Sequence, residues 1–348
     1  MPLPNKGRNL LVHLTNLSSR LGRRLSAANQ VALLQLPAFL LACSELPEPV
    51  PEAPLPKRKV QIYINQTGKT TFQTLDLLFF QEGPLERLDA YQHFGTVSGN
   101  RVEGTSSGAA RRMVVFSNCV NDIYAWSDIR SYASLYGHRF RLEEECPDNP
   151  MMIGTDYLPE GSHRSCMVTL RPMLARISVR SVACDFTGHS YAGEKLTDVR
   201  AYLTYVSREC HPLDTADRPS SWLNAGRLNE TETSELSHPE LVLADLGKSL
   251  GPRIYPDLDF YCYPNPADGT VFGQPVTRLV LEGKLQGTTY YYPIDLPSLE
   301  ADVQYRLDIT LTRAGTTDPD IPAASGTILL QNEVLDWDER EWDDIHFR

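Results

Sequence analysis

From residue 59 onward, hydrophobic residues either alternate with polar ones or form short apolar runs, and both patterns predict β-strands. Residues 59–64 alternate with a period of two, and residues 75–80 form a nearly continuous apolar run. The same patterns predict further strands at 111–118, 167–172, 175–182, 196–206, 260–263, 277–283, 288–294 and 305–312. The strands at 175–182 and 196–206 are expected to pair as a hairpin. Gly287 predicts a tight turn between the strands at 277–283 and 288–294.

One segment has a helical pattern instead. Its apolar residues at helical spacing are Trp126, Ile129, Tyr132, Ala133 and Leu135. Ser127 is the predicted N-cap of this helix, and Gly137 is the predicted stop.

Strands and helices do not alternate along the chain, which disfavours an α/β fold. Short strands separated by Gly, Pro and Asn favour an all-β fold with two Ig-like antiparallel β-sandwich domains in series, and one short helix in the first domain. Pro172 interrupts strand pairing between them. The predicted domains are therefore 58–172 and 173–348.

The N-terminus has the three parts of an export signal. A basic region ends at Arg24, a short apolar region follows, and the sequence Leu-Leu-Ala-Cys closes at Cys43. These residues predict a signal peptide over 1–42, cleavage between Ala42 and Cys43, and lipidation of Cys43. Two or more acyl chains would hold the protein at a membrane. The alternative is an ordinary core cysteine after a short apolar helix. Residues 43–57 are rich in proline and predict an extended tether.

The charge of the chain disfavours nucleic acid as a partner. The whole chain has 33 Lys and Arg against 44 acidic residues. Removing the five basic residues of the predicted signal peptide leaves 28 against 44, a net charge of −16. Such a surface repels phosphate backbones.

The remaining cysteines and acids do not predict a metal centre or a cofactor. Six cysteines follow Cys43, and none of them has CxxC spacing. Disulfides and buried free thiols are both compatible with their number. The acidic residues of 336–344 lack the loop glycine of an EF-hand, which favours a solvated acidic edge.

Residues 187–193 partly match the nucleophile elbow of α/β-hydrolases. That motif needs a glycine two residues after the serine and a following helix, whereas Ala192 and a strand occupy these places. We therefore expect a loop here and a protein that is not an enzyme.

Several short motifs, in order, resemble the Bacteroidales fimbrillin family. These motifs lie at 114–118, 150–154, 170–179, 263–265, 277–280, 290–294, 308–315 and 334–337. The resemblance implies two transthyretin-like β-sandwiches, export as a lipoprotein to the outer membrane and cell surface, and a structural or adhesive role in a type V pilus (fimbrium). It does not distinguish a stalk, anchor or tip subunit.

The resemblance also implies polymerisation by β-strand exchange with other fimbrial subunits. The strand at 59–64 would cover an apolar groove, and a trypsin-like protease would cut after Arg101 in the stretch 98–104. The donor strand would lie within 327–348, and its candidate residues are Ile328, Leu330, Val334, Leu335 and Trp337. An ordinary strand of its own domain is the alternative for that segment. For the whole protein, the alternative is a monomeric surface lipoprotein that binds a glycan or a host protein.

Overall fold

The computed structural model of the chain describes residues 56–66, 72–119, 126–161, 164–215, 217–270 and 272–337. All of them belong to one compact unit, which spans residues 55–348. The predicted signal peptide and nearly all of the predicted tether lie outside the described residues.

β-Strands dominate the described residues, as the hydrophobic pattern predicts. The strands are β1 Lys57–Gln66, β2 Leu75–Gln81, β3 Leu88–Phe94, β4 Arg101–Ser107, β5 Ala110–Ser117, β6 Phe140–Arg141, β7 Met152–Tyr157, β8 Arg164–Pro172, β9 Ala175–Cys184, β10 Thr197–Thr204, β11 Val206–Ser207, β12 Glu209–Cys210, β13 Trp222–Leu223, β14 Leu243–Ser249, β15 Arg253–Ile254, β16 Leu258–Cys262, β17 Arg278–Leu285, β18 Thr288–Asp295, β19 Val303–Leu311 and β20 Ile328–Asp336. The fold is all-β with a sandwich-like arrangement of sheets, as expected.

The strands between residues 57 and 172 form one seven-stranded sheet in the order β3-β2-β5-β7-β8-β1-β4. Its neighbours are antiparallel except for β1, which runs parallel to β8. The inner face of the sheet encloses a core that includes Val60, Ile62, Leu77, Phe79 and Val115, all fully buried. Because side chains alternate along a strand, the opposite face of β2 and β5 is free to pack elsewhere. It joins the second core of the molecule through residues such as Phe80 and Phe116.

The strands after residue 172 form two larger sheets that share this second core. One sheet has the order β14-β10-β17-β18, and the other has the order β15-β9-β19-β20, with β16 also paired to β9. Ile177 and Val179 of β9 and Ala201 and Leu203 of β10 all belong to the shared core. The predicted hairpin between residues 175–182 and 196–206 is therefore wrong. Both strands alternate because each lines one side of the same core, and they lie in different sheets.

The tight turn at Gly287 is confirmed. β17 and β18 pair up to Leu285 and Thr288. The two residues between them, Gln286 and Gly287, have φ values of 50° and 84°. Two consecutive positive φ values belong to a type I′ turn, whose twist matches that of the flanking strands.

The predicted helix between Trp126 and Gly137 is present only as two 3₁₀-helices, Trp126–Asp128 and Tyr132–Gly137. The N-cap of the second is Ser131 rather than Ser127, and Ser131 and Ser134 form a reciprocal capping box. The apolar residues still point inward, since Trp126, Ile129 and Leu135 are buried. Tight 3₁₀ turns bring these side chains onto the sheet over a shorter length of chain than one continuous α-helix would.

The other helices in the described residues are short. They are the 3₁₀-helices Leu142–Glu144 and Pro239–Leu241 and the α-helix Glu230–Ser234. Within the described part of the chain, no helix has the length and apolar character needed to cross a membrane.

Candidate assembly interface

Strand β20 lies at an edge of its sheet. It pairs antiparallel with β19 over nine positions, from Ile328 opposite Leu311 to Asp336 opposite Val303. In the described residues it has no second strand partner. The backbone groups on its outer side are therefore available to pair with another strand.

The side chains of β20 contribute little to the core of this chain. Leu329 is 56% exposed, Leu330 is 38% exposed and Val334 is 56% exposed, while Ile328 and Leu335 are half-buried. Charged residues on an edge strand discourage pairing with other chains, and β20 carries Glu333 and Asp336 toward its end. Its exposed apolar side chains lie on both faces, an arrangement suited to β-augmentation, in which a groove accepts alternate side chains.

Trp337 follows β20 and is attached to the body of the protein. It is only 7% exposed, and its ring lies 5.7 Å from the ring of Tyr261 between centroids. Its backbone NH donates to the Asp302 carbonyl at 3.1 Å. Of the five candidate donor residues, four lie on the exposed strand and Trp337 lies in the core. The rest of the predicted donor segment, 338–348, is outside the described residues.

Strand β1 contains residues 59–64, the segment proposed to cover an apolar groove. It lies between β8 and β4, and Val60, Ile62 and Ile64 point into the inner core of the seven-stranded sheet. Removing β1 would open an apolar groove between these two neighbours. β1 is therefore an interior strand of the sheet, with a strand partner on each side.

Arg101 is exposed and is the first residue of β4. Within the stretch 98–104 proposed for the protease cut, residues 98–100 precede the strand, and residues 101–104 pair with β1. Arg101 stands opposite Tyr63, and its guanidinium lies 5.7 Å from the centre of the Tyr63 ring.

The two outer strands of the seven-stranded sheet are joined by side chains. Asp89 of β3 accepts a hydrogen bond from the Ser107 amide at 2.6 Å. The Gln92 side chain accepts from the Thr105 amide at 3.0 Å and donates to the Thr105 carbonyl at 3.2 Å. These bonds take the place of a strand partner for β4. The seven-stranded sheet therefore has a protected edge, in contrast to β20.

All six cysteines after Cys43 are free thiols in the structure. Burial raises the pKa of Cys166 and of Cys262 to about 12 and the pKa of Cys184 to about 11. Thiols with such pKa values stay protonated at neutral pH and are poor nucleophiles and poor metal ligands. Within the described ranges, no group of three or more His, Cys, Asp or Glu residues is arranged to hold a metal ion.

Glu145 and Asp76 are buried carboxyl groups that the sequence pattern did not reveal. Glu145 is fully buried, accepts a hydrogen bond from the Met151 amide at 3.0 Å, and burial raises its pKa to about 8. Asp76 lies within β2, is fully buried, and accepts from the Tyr91 hydroxyl at 2.7 Å. Burial also raises the pKa of Asp76. Both groups lie inside packed cores and have structural roles.

The remaining site predictions lie outside the described residues. These are the cleavage site between Ala42 and Cys43 and the lipidation of Cys43. Sequence reasoning also missed the clasp made by Asp89 and Gln92. Residues 88–94 mix apolar Leu88, Ala90 and Phe94 with polar residues and show no clean alternation, so the hydrophobic pattern gave no strand there.

Comparison with known proteins gives structural relatives only. No protein-family model matches the chain, and no curated protein sequence matches it. A candidate cell adhesion protein of Bacteroides eggerthii matches with a TM-score of 0.63 and 17% identity, over 83% of this chain and 98% of that one.

Two fimbrial proteins of Porphyromonas gingivalis match as well. A fimbrilin has a TM-score of 0.56 and 14% identity, over 80% of this chain and 97% of that one. A tip fimbrial protein with a C-terminal truncation has a TM-score of 0.51 and 12% identity, over 81% of this chain and 100% of that one. At such identities the similarity shows a shared fold, which confirms the fimbrillin-like fold expected from the sequence.

Proposed function

We propose that this chain is a structural or adhesive subunit of a bacterial fimbrium, exported as an outer-membrane lipoprotein and joined to other subunits by β-strand exchange. The observation that carries the proposal is β20, an edge strand whose outer side has no strand partner among the described residues and whose Leu329, Leu330 and Val334 are exposed. The fold shared with fimbrial and candidate adhesion proteins supports the same interpretation.

The energetics of β20 favour donation to a neighbour. Burying an exposed Leu or Val side chain contributes about 1.5–3 kcal/mol, and the new backbone pairing adds directionality. Giving up β20 would leave β19 paired with β9 over eight positions, but it would lose the nine positions paired with β19 and, if Trp337 moved with the strand, the burial of that ring. Donation is therefore favoured where the groove of a second subunit restores this pairing and also buries Leu329, Leu330 and Val334.

The connection between β1 and Arg101 limits the other half of the exchange. A trypsin-like cut after Arg101 would separate β1, β2 and β3 from the rest of the chain. β2 lies between β3 and β5, and its first six residues are buried. Such a cut would not release β1 alone. We therefore propose the donor role for this chain without requiring that it also accepts a strand.

Substitutions on β20 test the donor role. Leu330→Arg combined with Val334→Arg places charges on one face of the strand, where an apolar groove would exclude them. Gln331→Arg, on the opposite face, is the matched control and should be tolerated. In cells that produce the protein, gold-labelled antibody and electron microscopy should show label on filaments for the control and little for the double variant.

Deletion of residues 327–348 completes this test. The shortened chain should remain a folded monomer that does not enter filaments, as judged by circular dichroism and size-exclusion chromatography. Normal filaments with the double variant, or an unfolded chain after the deletion, would show that β20 is an ordinary intramolecular strand.

The lipid anchor is tested separately by metabolic labelling with palmitate. The wild-type chain and a Cys146→Ser control should carry the label, whereas Cys43→Ser should not, because its hydroxyl does not replace the thiol in the acylation step. Equal labelling of the Cys43→Ser variant would exclude this anchor.

A further inference from the structure

A row of large side chains crosses the outer face of the seven-stranded sheet. Met167 of β8 stands beside Tyr63 of β1, and Tyr63 stands opposite Arg101 of β4. Met167 is 67% exposed, Tyr63 is 38% exposed, and Arg101 is exposed. Their neighbours along each strand point into the core, so these three residues share one solvent-facing surface.

Tyr157 of β7 lies on the same face of the sheet and is 66% exposed. β7 pairs with β8 at Met152 and Ile153, and continuing that register along the two strands would bring Tyr157 to the level of Met167. Gly154 lets β7 approach β8 closely, since a Cβ there would lie 2.4 Å from Cγ1 of Val168. The Tyr157 ring is held in place by Arg112, whose guanidinium lies 5.1 Å from its centre and donates to its hydroxyl at 2.8 Å.

The surroundings of the row are polar, with uncharged residues along most of its length and the Lys59–Glu103 ion pair beside its Arg101 end. Outward-facing residues beside it on the same strands are Gln61, Asn65, Thr155, Ser165 and Thr169. A stable protein–protein interface buries roughly 800 Å² on each side around an apolar centre. One narrow row of aromatic and thioether groups, flanked by amides and hydroxyls, matches a ligand with apolar faces and hydroxyl edges. A sugar ring has this character.

The spacing of the row fits an extended ligand. Paired neighbouring strands lie about 4.8 Å apart, and Met167 and Tyr63 stand side by side on β8 and β1 at this spacing. In a linear oligosaccharide, each sugar ring is displaced from the one before it by a distance similar to one strand spacing. Successive rings could therefore lie over Tyr157, Met167 and Tyr63 in turn.

Arg101 gives the row a charged end. Among the described residues no carboxylate pairs with Arg101, and the nearby Glu103 already binds Lys59 at 2.7 Å. A guanidinium recognises a carboxylate through two parallel hydrogen bonds. Arg101 therefore offers a carboxylated ligand a charge-assisted contact that no carboxylate of the described residues already occupies.

We propose that the row Tyr157–Met167–Tyr63–Arg101 binds an extended oligosaccharide, with a carboxylated sugar at Arg101. Tyrosine and methionine contact the ring faces, while the amides of Gln61 and Asn65 bind hydroxyl groups. The site requires β1 in place and makes no use of β20, so it does not depend on strand exchange.

Calorimetric titration of the complete chain in detergent micelles tests the proposal. The probes are tetragalacturonate, which is linear and carboxylated, the neutral cellotetraose, and tetra-aspartate as an acidic peptide. Tetragalacturonate should bind about tenfold more tightly than cellotetraose, a difference typical of one charge-assisted contact. Tetra-aspartate should bind much more weakly, because it lacks ring faces.

Variants assign the binding to the row. Met167→Ala and Tyr63→Ala should each weaken tetragalacturonate binding roughly tenfold, as expected for contacts at the centre of a small site. Arg101→Gln should remove the preference for tetragalacturonate over cellotetraose. Tyr255→Ala is the matched control, because Tyr255 is a tyrosine 72% exposed outside the row. Met167 is exposed enough for its variant to fold even where Tyr63→Ala loses stability.

The proposal is overturned if neither tetrasaccharide binds, if tetra-aspartate binds as tightly as tetragalacturonate, or if Tyr255→Ala has the same effect as Met167→Ala. Equal binding of the peptide would identify a surface for acidic proteins instead. Filament formation by Met167→Ala should be normal, so a failure of sugar binding and a failure of strand exchange are distinguishable.

Discussion

At the scale of single residues, burial favours the protonated form of the Glu145 carboxyl group in the folded protein. Burial raises its pKa to about 8, against an ordinary value of 4.5. Well below pH 4.5, Glu145 is protonated in both the folded and the unfolded chain, so its ionisation does not lower the free energy of unfolding. As the pH rises from 4.5 to 8, the unfolded chain loses this proton while the folded chain keeps it, and the free energy of unfolding falls.

We expect Glu145→Gln to remove this pH-dependent fall in the free energy of unfolding, because glutamine mimics the protonated acid. Its side-chain oxygen can still accept a hydrogen bond from the Met151 amide. The wild-type free energy of unfolding should fall relative to the variant by about 1.4 kcal/mol per pH unit, or roughly 3–5 kcal/mol in all. Urea denaturation at several pH values between 5 and 8 measures the difference. The exposed Glu300→Gln is the control. A difference that stays constant with pH would show that Glu145 is ionised in the folded protein.

Neither the free state of the six cysteines nor the burial of Glu145 could be predicted from the sequence. Six cysteines leave disulfides and free thiols equally open, and only three-dimensional positions show that all six are unpaired. Glu145 sits next to Glu143 and Glu144 in the sequence, so it resembles a solvated acidic run. Its burial depends on packing by distant segments, which no local pattern encodes.

At the scale of elements, the side-chain hydrogen bonds of Asp89 and Gln92 (the clasp) join β3 to β4. In the described residues β4 has β1 as its only strand partner, and the clasp satisfies part of its outer edge. Asp89→Ala removes the acceptor for the Ser107 amide and hydroxyl. We expect a loss of about 1–3 kcal/mol, the cost of leaving partly buried donors unpaired. Asp89→Asn keeps one acceptor and should lose less. Thermal or urea unfolding of both variants measures this order, and equal losses would show that Asp89 acts through its charge.

In the seven-stranded sheet the hydrophobic pattern predicted β1, β2, β5 and β8 and missed β3, β4 and β7. Strands β1, β2, β5, β9 and β19 coincide with alternating or apolar runs, because one or both of their faces are buried. β3 was missed because its residues Asp89 and Gln92 serve the clasp rather than a core. The hairpin error has another cause: alternation reveals which face of a strand is buried, and not which strand lies beside it.

The position of β2 leads to a prediction for the bend at residues 98–100. A site-specific protease sequence inserted there should be cut readily, since Ser98, Gly99 and Asn100 are exposed. We expect the two fragments to elute together in native buffer and to separate in urea, because β2 stays buried between β3 and β5. Release of the N-terminal fragment in native buffer would show that a nick near Arg101 is enough to open the groove.

At the scale of the whole molecule, residues 126–145 connect the seven-stranded sheet to the rest of the protein. The Trp126 ring stacks on Phe116 with 4.6 Å between ring centroids, and the edge of Phe140 also packs on Phe116. On the other side, β6 pairs with β12, and the Leu142 amide donates to the Arg208 carbonyl at 2.9 Å. One hydrophobic core therefore includes residues from both predicted domains.

This shared core argues that the two predicted domains, 58–172 and 173–348, unfold together. Unfolding the later strands would expose Phe140, Trp126 and Leu135, which are 2% exposed or less in the intact chain. Differential scanning calorimetry of the complete chain should therefore show a single transition whose van't Hoff and calorimetric enthalpies agree. A fragment of residues 58–172 should bind hydrophobic dyes and aggregate, because its outer face on β2 and β5 loses its cover. Two separate transitions, or a monomeric fragment that melts cooperatively, would mean that the boundary at Pro172 divides two independent folding units.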